Sequence, residues 1–212
     1  LIAIFYLFNI SFKNTMIKVD MILSCGGTLR NVVKNELIFK AGHFPSYYYQ
    51  VVEGKVKMNN YSDDGKEFIQ EIFTAGRSFG EPPLFINEPY PANAIAISKG
   101  VVVQIKKSLF DEMLYKYPEV SVEINRSLAR RLYYKSIMAP ELSSQSPEKR
   151  LLQLLHYLKQ QTPVKSELFQ VELSRQQLAD LTGLRVETVI RTIKHLEKQE
   201  YLKIIEGKIY LE

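Results

Sequence analysis

With 212 residues, the chain is long enough for one large domain or two small ones, each with its own core. Apolar residues make up 46% and charged residues 24%, the balance of a globular protein, and a net charge of +5 admits nucleic acid or an anionic surface as a partner. The single cysteine, Cys25, excludes an intrachain disulfide framework and a four-cysteine zinc or iron–sulfur site, and reads as a small, partly buried thiol.

The chain opens on "LIAIFYLFNI", apolar but too short to span a bilayer and lacking the basic start and cleavage site of a signal peptide. Residues 1–15 are set aside as an apolar extension; the alternative is an arm that packs on a partner. From Glu36 to Ile105 come the short apolar runs "ELIFK", "YYYQVV", "KVKM", "EFIQEIF", "NAIAIS" and "VVVQI", separated by turn signals. Strands of this length and spacing predict an antiparallel roll or barrel over 16–117, with a hairpin at Asp64-Gly65.

At Ser108 the apolar period changes from two to about three and a half. "SLFDEMLYKY" reads as a short amphipathic helix, and Pro118 opens a long one expected to end near Pro140. Its stripe, Val120, Ile124, Leu128 and Leu132, can lie on the roll or pair with the same helix of a second copy. Residues 118–144 form this connecting helix and its hinge.

Residues 145–212 carry "PEKRLLQLLHYLKQ", capped by Ser146, then an extended "ELFQVEL", the "SRQQLADLTGLRVETVIRTIKHLEKQ" segment, and "YLKII" and "KIYLE" around Glu206-Gly207. Ser174 and Gln177 suit a capping box, and Gly183 suits a tight turn between helices. Three helices and a terminal hairpin make a winged helix-turn-helix. On a wheel centred at Glu187, Arg191, Lys194 and Lys198 fall within about 40°, Ile190 lies to one side, and Val189, Ile193 and Leu196 lie opposite.

A mixed face of this kind suits the major groove better than a bare phosphate surface. Arginine can pair with guanine O6 and N7, a carboxylate can accept from cytosine N4, and an aliphatic can touch a thymine methyl. Glu187, Ile190 and Arg191, with Val186 beside them, are therefore the candidates for base readout. Ser174, Arg175, Gln176, Arg185, Thr188, Lys194 and Lys208 at the wing tip are candidates for the phosphate backbone. The bland alternative is a solvated face with a Glu187–Arg191 pair four residues apart.

A β-roll, a long helix and a winged helix-turn-helix in this order resemble the cyclic-AMP receptor protein and fumarate–nitrate regulator (Crp/Fnr) family of bacterial transcription factors. The resemblance runs from about Met21 to Glu212. Its motifs are "SRQQLADLTGLRVETVIRTIKHLEK", in which "VETVIR" is similar to the oxygen-sensing branch, and "GRSFGEPPLFINEPYPANAIA". It implies an α+β chain with a cyclic-nucleotide-binding-like jelly roll. It further implies a cytoplasmic homodimer on palindromic TGA-type double-stranded DNA, with Ile124, Leu128 and Leu132 on the dimer helix and RNA polymerase as a further partner.

The second motif departs from the family. Gly80 and Glu81 stand where relatives meet phosphate and ribose, but Pro91 and Ala92 replace the Arg-Ser pair that neutralises a cyclic phosphate. A buried phosphate left unpaired costs several kcal/mol, on the order of a micromolar binding energy of about 8 kcal/mol. The expectation is a degenerate pocket, no cyclic AMP and no cofactor or metal. The alternative is a regulator gated by a non-nucleotide effector or haem in the roll. His43 is a conceivable axial ligand, while His156 and His195 have no partner at metal-ligand spacing. The enzyme class is excluded, because the roll offers His43 alone and the chain has no phosphate loop, dinucleotide fingerprint, HExxH or GxSxG.

Overall fold

A computed structural model describes residues 16–65, 67–143, 146–161 and 168–211. The N-terminal extension 1–15 lies outside them. The chain forms two compact units that divide between Leu128 and Ala129, inside the long helix.

The first unit begins with α1 (Val19–Ser24), followed by β1 (Thr28–Val32), β2 (Leu37–Phe39), β3 (Tyr47–Glu53), β4 (Lys55–Tyr61), β5 (Glu67–Thr74) and β6 (Ser78–Phe79). Then come α2 (Glu81–Ile86), β7 (Asn93–Ala96), β8 (Gly100–Lys106), α3 (Lys107–Lys116) and α4 (Pro118–Ser143). Two four-stranded antiparallel sheets result, ordered β1-β8-β3-β6 and β2-β7-β4-β5. The run "YYYQVV" shows why an unbroken apolar stretch is needed in β3. Tyr49 and Val51 face the other sheet, in a core with Phe39, Val56, Phe73 and Val102. Tyr48 and Val52 face the opposite way, under Ile22 of α1, Phe110 and Met113 of α3, and Val120 of α4. Both faces are covered, so alternation disappears from the sequence.

Gln50 interrupts that run without leaving a buried amide unpaired. Its Nε2 donates to Ile17 O at 2.8 Å, and its Oε1 accepts from Ile17 N at 3.2 Å and from the Tyr48 hydroxyl at 2.9 Å. These bonds tie the start of the described chain to β3.

Several expectations are corrected here. The long helix does not stop near Pro140; α4 continues to Ser143. Strand β1 precedes the first expected strand, and its "TLRNV" carries too little alternation to be seen. Strand β6, two residues long, and helix α2 were likewise not anticipated.

The second unit contains α5 (Pro147–Gln161), β9 (Phe169–Val171), α6 (Arg175–Thr182), α7 (Val186–Lys198), β10 (Lys203–Ile205) and β11 (Lys208–Leu211). The three strands form one antiparallel sheet, ordered β10-β11-β9. Leu151 and Leu155 of α5, Leu178 and Ala179 of α6, and Val189, Ile193 and Leu196 of α7 close a core on Val171, Ile209 and Leu211. Among the described residues no helix is long and apolar enough to cross a membrane.

Candidate nucleic-acid interface

The pair α6–α7 is built by local bonds. Ser174 Oγ accepts from Gln177 N at 3.1 Å, and Gln177 Oε1 accepts from Ser174 N at 2.9 Å, so both side chains satisfy donors at the start of α6. Gly183 ends that helix in the left-handed region, φ +68°, which turns the chain into α7 within three residues.

Helix α7 has two distinct faces. Val189, Thr192, Ile193 and Leu196 are buried, and each apolar side chain among them contributes about 1.5–3 kcal/mol relative to an exposed position. Glu187, Ile190, Arg191, Lys194, His195 and Lys198 line an open depression of about 570 Å³ on the other face. Glu187 sits in the first turn of α7, where the helix dipole favours a carboxylate, and Lys198 in the last turn, where it favours a cation. Ile190 is 42% exposed, an aliphatic set among charges.

The remaining candidates fall around this face unequally. Arg185 is exposed at the N-cap of α7, and Lys208 is exposed at the start of β11, opposite Ile205 across the Glu206-Gly207 turn. Thr188 and Arg175 are half-buried. Ser174 is exposed, but its hydroxyl serves the cap; Gln176 Nε2 donates to Asp180 Oδ1 at 2.8 Å. Val186 is half-buried against the helix core, so it is less available than Ile190. Sequence reasoning missed the pairing of His195 Nε2 with Glu148 Oε1 of α5 at 3.3 Å. The two residues lie on separate helices, and no spacing could have shown it.

The long helix divides its stripe. Ile124, one of the residues expected on the dimer helix, is 1% exposed and packs with Phe110, Met113 and Val120 of its own chain. Leu128 is half-buried on the same cluster, whereas Leu132 is 68% exposed. A stripe at helical spacing demands burial along its length but does not say against what.

The roll's effector-type residues differ in exposure. Pro91 is exposed and Ala92 is fully buried in the inter-sheet core. Glu81 is fully buried in the first turn of α2 and accepts a hydrogen bond from the Ser78 hydroxyl. A Cβ placed on Gly80 would come within 2.9 Å of the Phe39 ring and 3.1 Å of the Tyr90 ring. Two aromatic side chains therefore lie directly against Gly80. His43 lies exposed in the turn after β2.

Residues 29–117 match the model of the cyclic nucleotide-binding domain, and residues 149–212 that of the Crp-like helix-turn-helix domain. The cAMP-activated global transcriptional regulator CRP of Haemophilus influenzae is 29% identical over 169 residues, 78% of this chain and 75% of that protein. The fumarate and nitrate reduction regulatory protein of Vibrio cholerae is 26% identical over 180 residues, 84% of this chain and 71% of that protein. Among solved structures, FixK2 from Bradyrhizobium japonicum shares the fold with a TM-score of 0.74 at 24% identity, over 88% of this chain and 92% of that one.

Proposed function

The chain belongs to the Crp/Fnr family of transcription regulators, DNA-binding proteins rather than enzymes, and from that premise we propose that it binds a palindromic TGA-type duplex as a homodimer, without cyclic AMP. In this reading α7 enters the major groove. Arg191 pairs with guanine, Glu187 accepts from cytosine, and Ile190 touches a thymine methyl. Lys194, Lys208 and Arg185 hold the phosphates and set the register. The protein works in the cytoplasm, with RNA polymerase as its further partner.

The observation that carries the reading is the division of α7 into a buried apolar face and an outward face bearing Glu187, Ile190, Arg191 and Lys194. A purely phosphate-binding face gains nothing from a carboxylate; a base-reading face gains selectivity, because Glu187 is repelled by a keto oxygen or a phosphate. Independence from cyclic AMP is supported by Pro91 and Ala92, which supply no cation, and by the Phe39 and Tyr90 rings on Gly80.

A second reading, gating by a small non-nucleotide effector, is favoured by one buried atom. Asn59 Oδ1 has no hydrogen-bond partner among the described residues. Retardation of a TGA-type palindrome by purified protein, alone and with cell extract, tests both readings. Retardation by the protein alone supports the first, and retardation that requires extract supports the second. No retardation under either condition refutes both.

A further inference from the structure

The interior of the roll is occupied by rings. Phe39 and Tyr90 stack face to face, with centroids 3.6 Å apart and planes 6° from parallel. Around them stand Tyr49, 5.8 Å from Phe39, and Phe79, 5.9 Å from Phe39 and 5.5 Å from Tyr49. All four rings are buried. Tyr90 is delivered inward by a fixed backbone: its N donates to His43 O and its O accepts from Gly42 N, both at 2.9 Å.

Tyr90 is poorly matched to a role as packing alone. A hydroxyl buried without a partner is unfavourable, and a phenylalanine at this place would stack as well. Burial pushes its phenol well above the usual tyrosine range, with Tyr49 and Glu81 adding to the shift, so the ring stays neutral. A neutral phenol stacked on one ring and seated on a glycine has the arrangement of a bound aromatic ligand.

We infer that Tyr90 is a tethered resident ligand: its phenol, stacked on Phe39 over Gly80, fills the space a diffusible effector needs and holds the roll in the form that accompanies DNA binding. This rests on the reading that duplex binding requires no cyclic nucleotide. A tethered group gives up no translational freedom when it docks, so occupancy does not depend on any cellular concentration.

The test uses the full chain with Tyr90→Ala and para-cresol, the free counterpart of the missing side chain, since cavities left by truncated rings accept small aromatics. Tyr90→Ala is expected to weaken binding of the TGA-type palindrome at least tenfold. Millimolar para-cresol is expected to restore that binding and to raise the variant's unfolding temperature, leaving the unsubstituted chain unchanged in both. A folded Tyr90→Ala chain that binds the duplex as tightly as the unsubstituted one overturns the inference. So does recovery of stability by para-cresol without recovery of DNA binding. Should Tyr90→Ala not fold, Phe39→Leu loosens the same stack at smaller cost; it is expected to weaken DNA binding severalfold, and unchanged binding overturns the inference. Failure of the unsubstituted chain to bind any duplex is a separate result, one that removes the DNA reading and this inference with it.

Discussion

Replacing Arg191 by alanine separates base reading from phosphate attraction. Arg191 stands on the exposed face of α7, away from Val189, Ile193 and Leu196, so folding stability should change by no more than about 0.5 kcal/mol. A bidentate arginine–guanine pair is worth about 1–3 kcal/mol of discrimination. With one such pair in each half-site and near-additive effects, the loss on the palindrome is about 2–6 kcal/mol, roughly 30-fold to 20,000-fold. The assay is fluorescence anisotropy at one fixed salt concentration, on the palindrome and on duplexes altered at single positions. The expected result is a large loss on the palindrome and a small one on duplexes that lack the guanine, so that preference at one position per half-site flattens. An equal loss on every duplex would refute the argument, because it would place Arg191 on phosphate.

Lys208→Ala, at the wing, is expected to weaken binding to all sequences alike and to lower the salt slope of a dimer by about 2, measured by repeating the titration across salt concentrations. Leu132→Asp places a charge on a 68% exposed position of α4, which costs the isolated chain little; sedimentation is expected to show a monomer, and a persisting dimer would move the seam elsewhere. Glu36 has its carboxyl held below the ordinary glutamate range by the Val33 N–H, at 2.9 Å, and by the Arg30 guanidinium, at 2.8 Å. A depressed folded-state pKa means that its contribution is present above the unfolded value of about 4.3 and is lost as pH falls through the folded one. Urea titrations below pH 5 should therefore show Glu36→Gln losing less stability with acid than the unsubstituted chain.

Much of the second unit was legible because its signals are local. The bonds of the Ser174–Gln177 box and the left-handed Gly183 join residues within a few positions of one another, and the period of α7 assigns Glu187 and Ile193 to opposite faces in any context. The first unit was legible only where strands had a continuous apolar run. In β1, "TLRNV" pairs with β8 through its backbone, and its side chains follow a pattern that a loop could share. The exposure of Pro91 beside a fully buried Ala92 was also unreadable, because a motif counted along the chain does not record which way each residue faces.

The sequence by itself determined the order of the elements, the two faces of α7 and the uncharged character of Pro91 and Ala92, because each depends on neighbours in the chain or on residue chemistry alone. Only the tertiary structure decided that Ile124 packs on the roll, that His195 meets Glu148, and that Phe39 and Tyr90 lie against Gly80. Those contacts join segments brought together by sheet pairing and helix packing. Hydrophobic periodicity states that a side chain must leave water; which partner receives it is settled only when the whole chain has closed on itself.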